Sequence, residues 1–175
     1  MQDKVKTTAM MGLLTALVVV LQLIPIRVGF FTLSTVLVPI VVGAALYGAA
    51  GGCWLGFIFG ATVILSGQAA AFMAINPAGT IVTVLIKGIA AGGVVGLVYR
   101  ILVKKDVKIA TVTASALAPI TNTGVFIIGC LFFFPYDLKY IITVFVGINF
   151  IIELLFNLVL SSTIVFLIKT ARNKM

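Results

Sequence analysis

The sequence predicts an all-α integral membrane protein, six transmembrane helices in one compact bundle over residues 1–175, with both termini cytoplasmic. Three observations predict it. Hydrophobic residues make up 62% of the chain and charged residues only 9%, where a soluble domain carries about 25% charged. Breaks at Pro25–Gly29, Gly48–Gly52, Gly67–Pro77, Lys104–Lys108 and Pro135–Lys139 leave six apolar runs. Lys4, Lys6, Arg100, Lys104, Lys105, Lys108, Lys169, Arg172 and Lys174 then share one side of the membrane, with only Arg27 and Lys139 on the other. The positive-inside rule makes the first side cytoplasmic.

The first run, 7–25, has the basic start and apolar body of a signal peptide. No small-x-small cleavage pattern follows before Pro25 and Arg27, so it reads as a membrane helix. Thr8, Gly12 and Ala16 recur along it every four residues. Such a stripe lets another helix approach closely; of the stripes in this chain it is the one that best suits an external partner, with internal packing as the alternative. Runs two and three, 34–49 and 51–66, are about 16 residues each. At about 1.5 Å per residue they fall short of a hydrocarbon core of about 30 Å. Either they tilt, or the Gly/Ala turn between them sits inside the bilayer under cover of protein. Gly48, Gly52, Gly56 and Gly60, and Gly88, Gly92 and Gly96 in run four (79–103), repeat the small-residue spacing, with internal packing the expected use. Runs five and six cover 109–133 and 140–168.

This arrangement turns three segments outward: Pro25–Leu33, Gly67–Ala78 and Phe134–Lys139. The middle one, GQAAAFMAINPA, is long and polar enough for a lid or ligand loop, with a plain connector as the alternative.

Lys87 and Glu153 stand out inside runs four and six. An ionisable group near a bilayer centre costs about 2.5–3.5 kcal/mol on insertion scales. One reading is a structural Lys–Glu pair or a lysine reaching to an interface; the other is a substrate or ion site. Polar stripes weigh in. Thr80, Thr83 and Lys87 share a face in run four. Thr111, Ser115, Pro119 and Asn122 do so in run five, and Asn149, Glu153, Asn157 and Ser161 in run six. Three stripes exceed what lipid tolerates, so they are expected to converge. From the outer helix ends Lys87 lies about 12 Å deep, Asn122 about 16 Å and Glu153 about 20 Å. The two readings are compatible, since Lys87 can pair with Glu153 when empty and share itself with a ligand carboxylate when loaded.

Other chemistry is missing. The chain has no histidine, and Cys53 and Cys130 lie in apolar segments, so neither metal, cofactor nor disulfide is expected. No GxxxxGK[ST], HExxH, GxSxG or paired aspartates occur, which argues against ATP hydrolysis by this chain and against an intramembrane hydrolase; it is not expected to be an enzyme. The net charge of +8 comes from helix ends, not from a nucleic-acid patch. The first half does not visibly repeat in the second, which argues against an inverted-repeat carrier.

The chain resembles, over essentially its whole length, the substrate-binding membrane subunit (S component) of energy-coupling factor vitamin transporters. The likeness rests on TTAMMGLLTALVVVLQLIP in run one, VPIVVGAALYGAAGGCWLGFIFG, KGIAAGGVVGLVYRIL and TNTGVF, in that order. It implies a bacterial plasma-membrane subunit that captures a vitamin or related small molecule outside. The subunit would dock on a membrane scaffold subunit with two cytoplasmic ATPases, and ATP use would go with a tilting that carries the site inward. The family's AxxxA docking motif maps onto Gly12 and Ala16, where glycine keeps the surface small. An acidic residue that family members often carry towards the end of run three is absent from FGATVILSG. The resemblance puts substrate binding on Arg27, Asn76, Lys87, Asn122, Asn149 and Glu153. Two cations and several asparagines suit an anion with hydroxyls and an amide. Pantothenate fits best, and riboflavin or folate remain open because Phe30, Phe31, Phe72 and Tyr140 can stack on a ring. The competing class is a self-sufficient ion-coupled carrier or channel using Glu153 and Lys87.

Overall fold

The computed structural model describes the backbone of residues 2–24, 26–28, 31–33 and 35–174, and the side chains of 5–24, 35–144, 146–147 and 150–170. Helix α1 (Gln2–Leu23) leads into a small antiparallel hairpin, β1 (Ile26–Val28) with β2 (Phe31–Leu33), Arg27 opposite Thr32. Then come α2 (Leu37–Leu65), α3 (Ala70–Met73), α4 (Pro77–Leu102), α5 (Val107–Phe133), α6 (Leu138–Tyr140), a π-helical stretch (Ile141–Val146) and α7 (Gly147–Lys174). Five helices among the described residues are long and apolar enough to cross a membrane: Val5–Leu23, Leu37–Leu65, Pro77–Leu102, Val107–Phe133 and Phe150–Thr170.

The expected second and third runs thus fall in one element, α2, and the reason is Gly48. Its φ of 71° and ψ of −164° break the helix without ending it, a conformation open to glycine but not to a residue with a Cβ. The chain reverses there. A Cβ placed on Gly43 would strike the side chain of Leu55, and one on Gly52 would lie 2.9 Å from the Ala44 Cβ, so residues on either side of Gly48 face one another. The arms, 37–47 and 49–65, measure about 16 and 26 Å, each short of a bilayer core. The turn itself is covered by α4, since a Cβ on Gly96 would meet the Ala49 Cα at 2.6 Å. The first arm is apolar all round because it is buried all round: Leu37, Ile40, Val41 and Ala44 are fully enclosed.

The second arm packs on α4 through a seam of glycines. A Cβ on Gly52 or Gly56 would run into the backbone carbonyl of Gly92 or Gly88, and one on Gly60 would meet the Val84 carbonyl at 2.8 Å. Backbone touches backbone along this line, and the pairs run antiparallel. Internal packing is therefore the use of these glycines.

Capping explains the starts of α4 and α5. Asn76 accepts from Gly79 N at 2.9 Å and precedes Pro77 at the first turn of α4. Asp106 accepts from the backbone N–H groups of Lys108 and Ile109, at 2.6 and 3.0 Å. The Ile109 and then the Lys108 hydrogen bond hold its carboxyl below the usual carboxylate range. The Lys169 charge also acts on Asp106, so the end of α7 lies beside the start of α5. The expected sixth run is not one α-helix: it opens with the π-helical stretch and breaks at Gly147, φ 33°. Exposed Lys6, Arg100, Lys104, Lys105, Lys108 and Lys169 gather at one end of the bundle, opposite β1, β2 and α3.

Candidate functional site

At the end of the bundle near α3, a cavity of about 230 Å³ opens between α2, α4 and α5. Its polar groups come from four places: Gln22 closing α1, Gln68 in the α2–α3 link, Lys87 on α4 and Asn122 on α5. Phe59, Phe72 and Phe126 give it aromatic walls.

Lys87 is held between two of these rings. Its Nζ lies 5.5 Å from the Phe59 centroid and 5.1 Å from that of Phe126, within the range of cation–π attraction. The glycine seam explains its reach: Gly88 draws α4 against α2, which brings the preceding residue, Lys87, alongside Phe59. The Glu153 carboxylate is near enough for its charge to act on Lys87. Asn122 is 7% exposed and its Oδ1 has no hydrogen-bond partner, so an acceptor is turned into the wall of a cavity whose cation is Lys87. Such a pair recognises a molecule with an anionic or acceptor group at one point and an O–H or N–H donor at another.

The segment between α2 and α4 forms the outer cover. Gln22 Nε2 donates to Gln68 Oε1 at 2.7 Å, and Gln68 Nε2 donates to the Gln22 carbonyl at 2.9 Å. Gly67, with φ 74°, makes the bend that allows it. Phe72 on α3 meets Phe126 edge-on at 5.6 Å and Phe134 at 5.2 Å. The segment expected as a lid or connector therefore lies over the cavity.

Of the expected ligand residues, Lys87 and Asn122 line the cavity and Glu153 acts on it electrostatically. Asn76 does not join them. Its Oδ1 caps α4 and its Nδ2 donates to the Phe133 carbonyl at 3.0 Å, tying α4 to the end of α5. Both halves of its amide make structural hydrogen bonds, and it does not line the cavity. The side chains of Arg27 and Asn149, and of Phe30 and Phe31, lie outside the described residues. Tyr140 stacks on Tyr136 at 5.1 Å, away from the cavity lining. Gln22 and Gln68 were missed, although a glutamine near the end of an apolar run is a readable signal. Phe59 and Phe126 carried none, being indistinguishable in sequence from packing residues.

A second, larger cleft of about 350 Å³ lies between α1 and α2, lined by Val19, Leu23, Ile58, Leu65 and small neighbours. It holds no charged side chain, so the chemistry favours the smaller cavity. Along the same flank of α1 as Val19 and Leu23, toward the other end of the helix, Thr8, Gly12 and Ala16 are exposed, and a Cβ on Gly12 would meet nothing within 4 Å. Among the described residues no group of three His, Cys, Asp or Glu side chains could hold a metal. Compared with protein-family models, curated proteins and solved structures, the chain gives no match.

Proposed function

We propose that this chain is the high-affinity substrate-binding subunit of an ATP-driven importer of the energy-coupling factor type, working in a bacterial plasma membrane. The observation that carries the reading is the Lys87 ammonium between Phe59 and Phe126, in one cavity with the unpartnered Asn122 Oδ1. In this reading the two arms of α2 count as two traversals, giving six, and the basic end with both termini faces the cytoplasm. The cavity then opens outward, under the Gln22–Gln68 bridge. The ligand carboxylate takes Lys87 from the field of Glu153, a hydroxyl or amide N–H donates to Asn122, and the apolar body lies among the phenyl rings. The volume, about that of eight waters, is below the usual range for drug-sized ligands of about 300–1,000 Å³. It favours a compact acid such as pantothenate over the bulkier riboflavin or folate.

The exposed Thr8, Gly12 and Ala16 stripe serves as the contact for the membrane scaffold subunit, which carries two cytoplasmic ATPases. Equilibrium dialysis of the purified chain with radiolabelled pantothenate tests the binding, and proteoliposome uptake tests the coupling. Saturable binding without uptake by the chain alone is the expected result. Accumulation by the chain alone would replace this reading with a self-sufficient carrier.

A further inference from the structure

One turn deeper than the cavity, α5 and α7 bring a second set of buried oxygens to similar depth. Pro119 lies inside α5, which continues as one helix from Val107 to Phe133. It has no N–H to give the Ser115 carbonyl, which loses its helical donor. The Ser115 side chain is fully buried and its Oγ has no hydrogen-bond partner. On α7, Asn157 is also fully buried. Its Nδ2 donates to the Glu153 carbonyl at 2.9 Å, which fixes the amide and leaves Oδ1 without a partner.

Helices α5 and α7 pack against one another and run antiparallel. Lys169 acts on Asp106 at one end, and Glu153 acts on Lys87, which shares the cavity with Asn122. Asn122 and Glu153 are thus at similar depth on antiparallel helices. Asn157 lies about 6 Å below Glu153, and residues 115–119 lie about 5–10 Å below Asn122. A helical carbonyl points toward the C-terminal end, so that of Ser115 is directed back to the level of Asn157.

The set consists of acceptors: a carbonyl, a hydroxyl oxygen and a carboxamide oxygen. A dry membrane interior does not tolerate such oxygens unsatisfied. We propose that the Ser115 carbonyl and Oγ, together with Asn157 Oδ1, bind a monovalent alkali cation of the size of Na⁺. Neutral ligands point away from Ca²⁺, whose sites collect carboxylates. Charge balance gives the ion a task. With an anionic ligand on Lys87, the buried charges Lys87⁺, Glu153⁻ and ligand⁻ leave one negative, which the cation neutralises. Cation and anionic ligand then strengthen each other's binding reciprocally. This coupling rests on the proposed function; the cation site does not.

The test is thermal unfolding of the purified, ligand-free chain in NaCl against choline chloride at equal ionic strength. A saturable rise in Tm with Na⁺ is expected, lost in Ser115→Ala and in Asn157→Leu. Pro119→Ala returns an N–H to the Ser115 carbonyl, so it keeps the helix and weakens the Na⁺ midpoint by about tenfold. Equal Tm in Na⁺ and choline at all concentrations overturns the site, leaving the three oxygens to water. A rise undiminished in all three variants overturns it as well. The pantothenate affinity measured in Na⁺ and in choline reads the coupling. A Na⁺-dependent Tm without pantothenate binding leaves the cation site standing and removes the pantothenate reading instead.

Discussion

Gly52, Gly56 and Gly60 on α2 share a four-residue spacing with Thr8, Gly12 and Ala16 on α1, and the molecule uses the two stripes differently. The first is filled: its glycines lie against the carbonyls of Gly92, Gly88 and Val84, with no room for a methyl group. The second is bare, with Gly12 meeting nothing. α1 turns Leu14 and Val18 inward and holds α2 through a 3.2 Å hydrogen bond from Trp54 Nε1 to Thr15 Oγ1. Its small residues are left facing out. Small spacing in a membrane helix therefore marks a surface built for close approach, and only the fold tells whether the approaching helix belongs to the same chain.

Substitution is the most direct way to break this contrast. Gly56→Leu drives a side chain into the Gly88 backbone and should cost about 3 kcal/mol or more, seen as loss of a monodisperse peak in size-exclusion chromatography. Gly12→Leu should leave Tm within the range of a surface change, about 0.5 kcal/mol. If the two variants unfold alike, the contrast fails. Next in size, Lys87→Met should weaken binding of an anionic ligand by about 100-fold, the loss expected when one partner of a buried charge contact is removed. Asn76→Ala should act instead on Tm, because its amide holds α4 to α5. Smaller again, if the α1 stripe is the docking face proposed above, Gly12→Leu should leave ligand affinity unchanged while lowering uptake in the presence of the proposed ATPase module by about tenfold.

The smallest effect belongs to Asp106, which caps α5 at the basic end. Its carboxyl titrates lower in the folded chain than in the unfolded one. Its stabilisation is therefore complete above the unfolded value of about 3.9 and is lost as pH falls through the folded value. Asp106→Ala should lower Tm slightly at neutral pH, and the gap to wild type should close in acid. A gap independent of pH would mean that the carboxylate is not the cap.

Much of the fold was legible because bilayers constrain sequence: apolar runs and charge placement set the helices, and the breaks lay near Gly48, Pro77 and Asp106. The reversal inside α2 was readable as two runs, yet its depth was not, because burial of the turn under Gly96 depends on α4. The π-helical start of the last run left no trace in its apolar residues. Within the site, Lys87 and Asn122 were legible because polar groups in apolar runs need partners. Asn76 is ambiguous in sequence, since the same amide that reads a ligand also caps a helix. Phe59 and Phe126 were hidden, for a phenyl ring beside a cation looks in sequence like one beside a leucine.

The proposed function requires the Lys87 cavity to hold a small organic acid, which mass spectrometry of small molecules released from the detergent-purified chain can detect. One compact carboxylate is expected, near one per chain, retained by wild type and by Gly12→Leu and absent from Lys87→Met. No released molecule, one without an acid group, or equal amounts from wild type and Lys87→Met would contradict it.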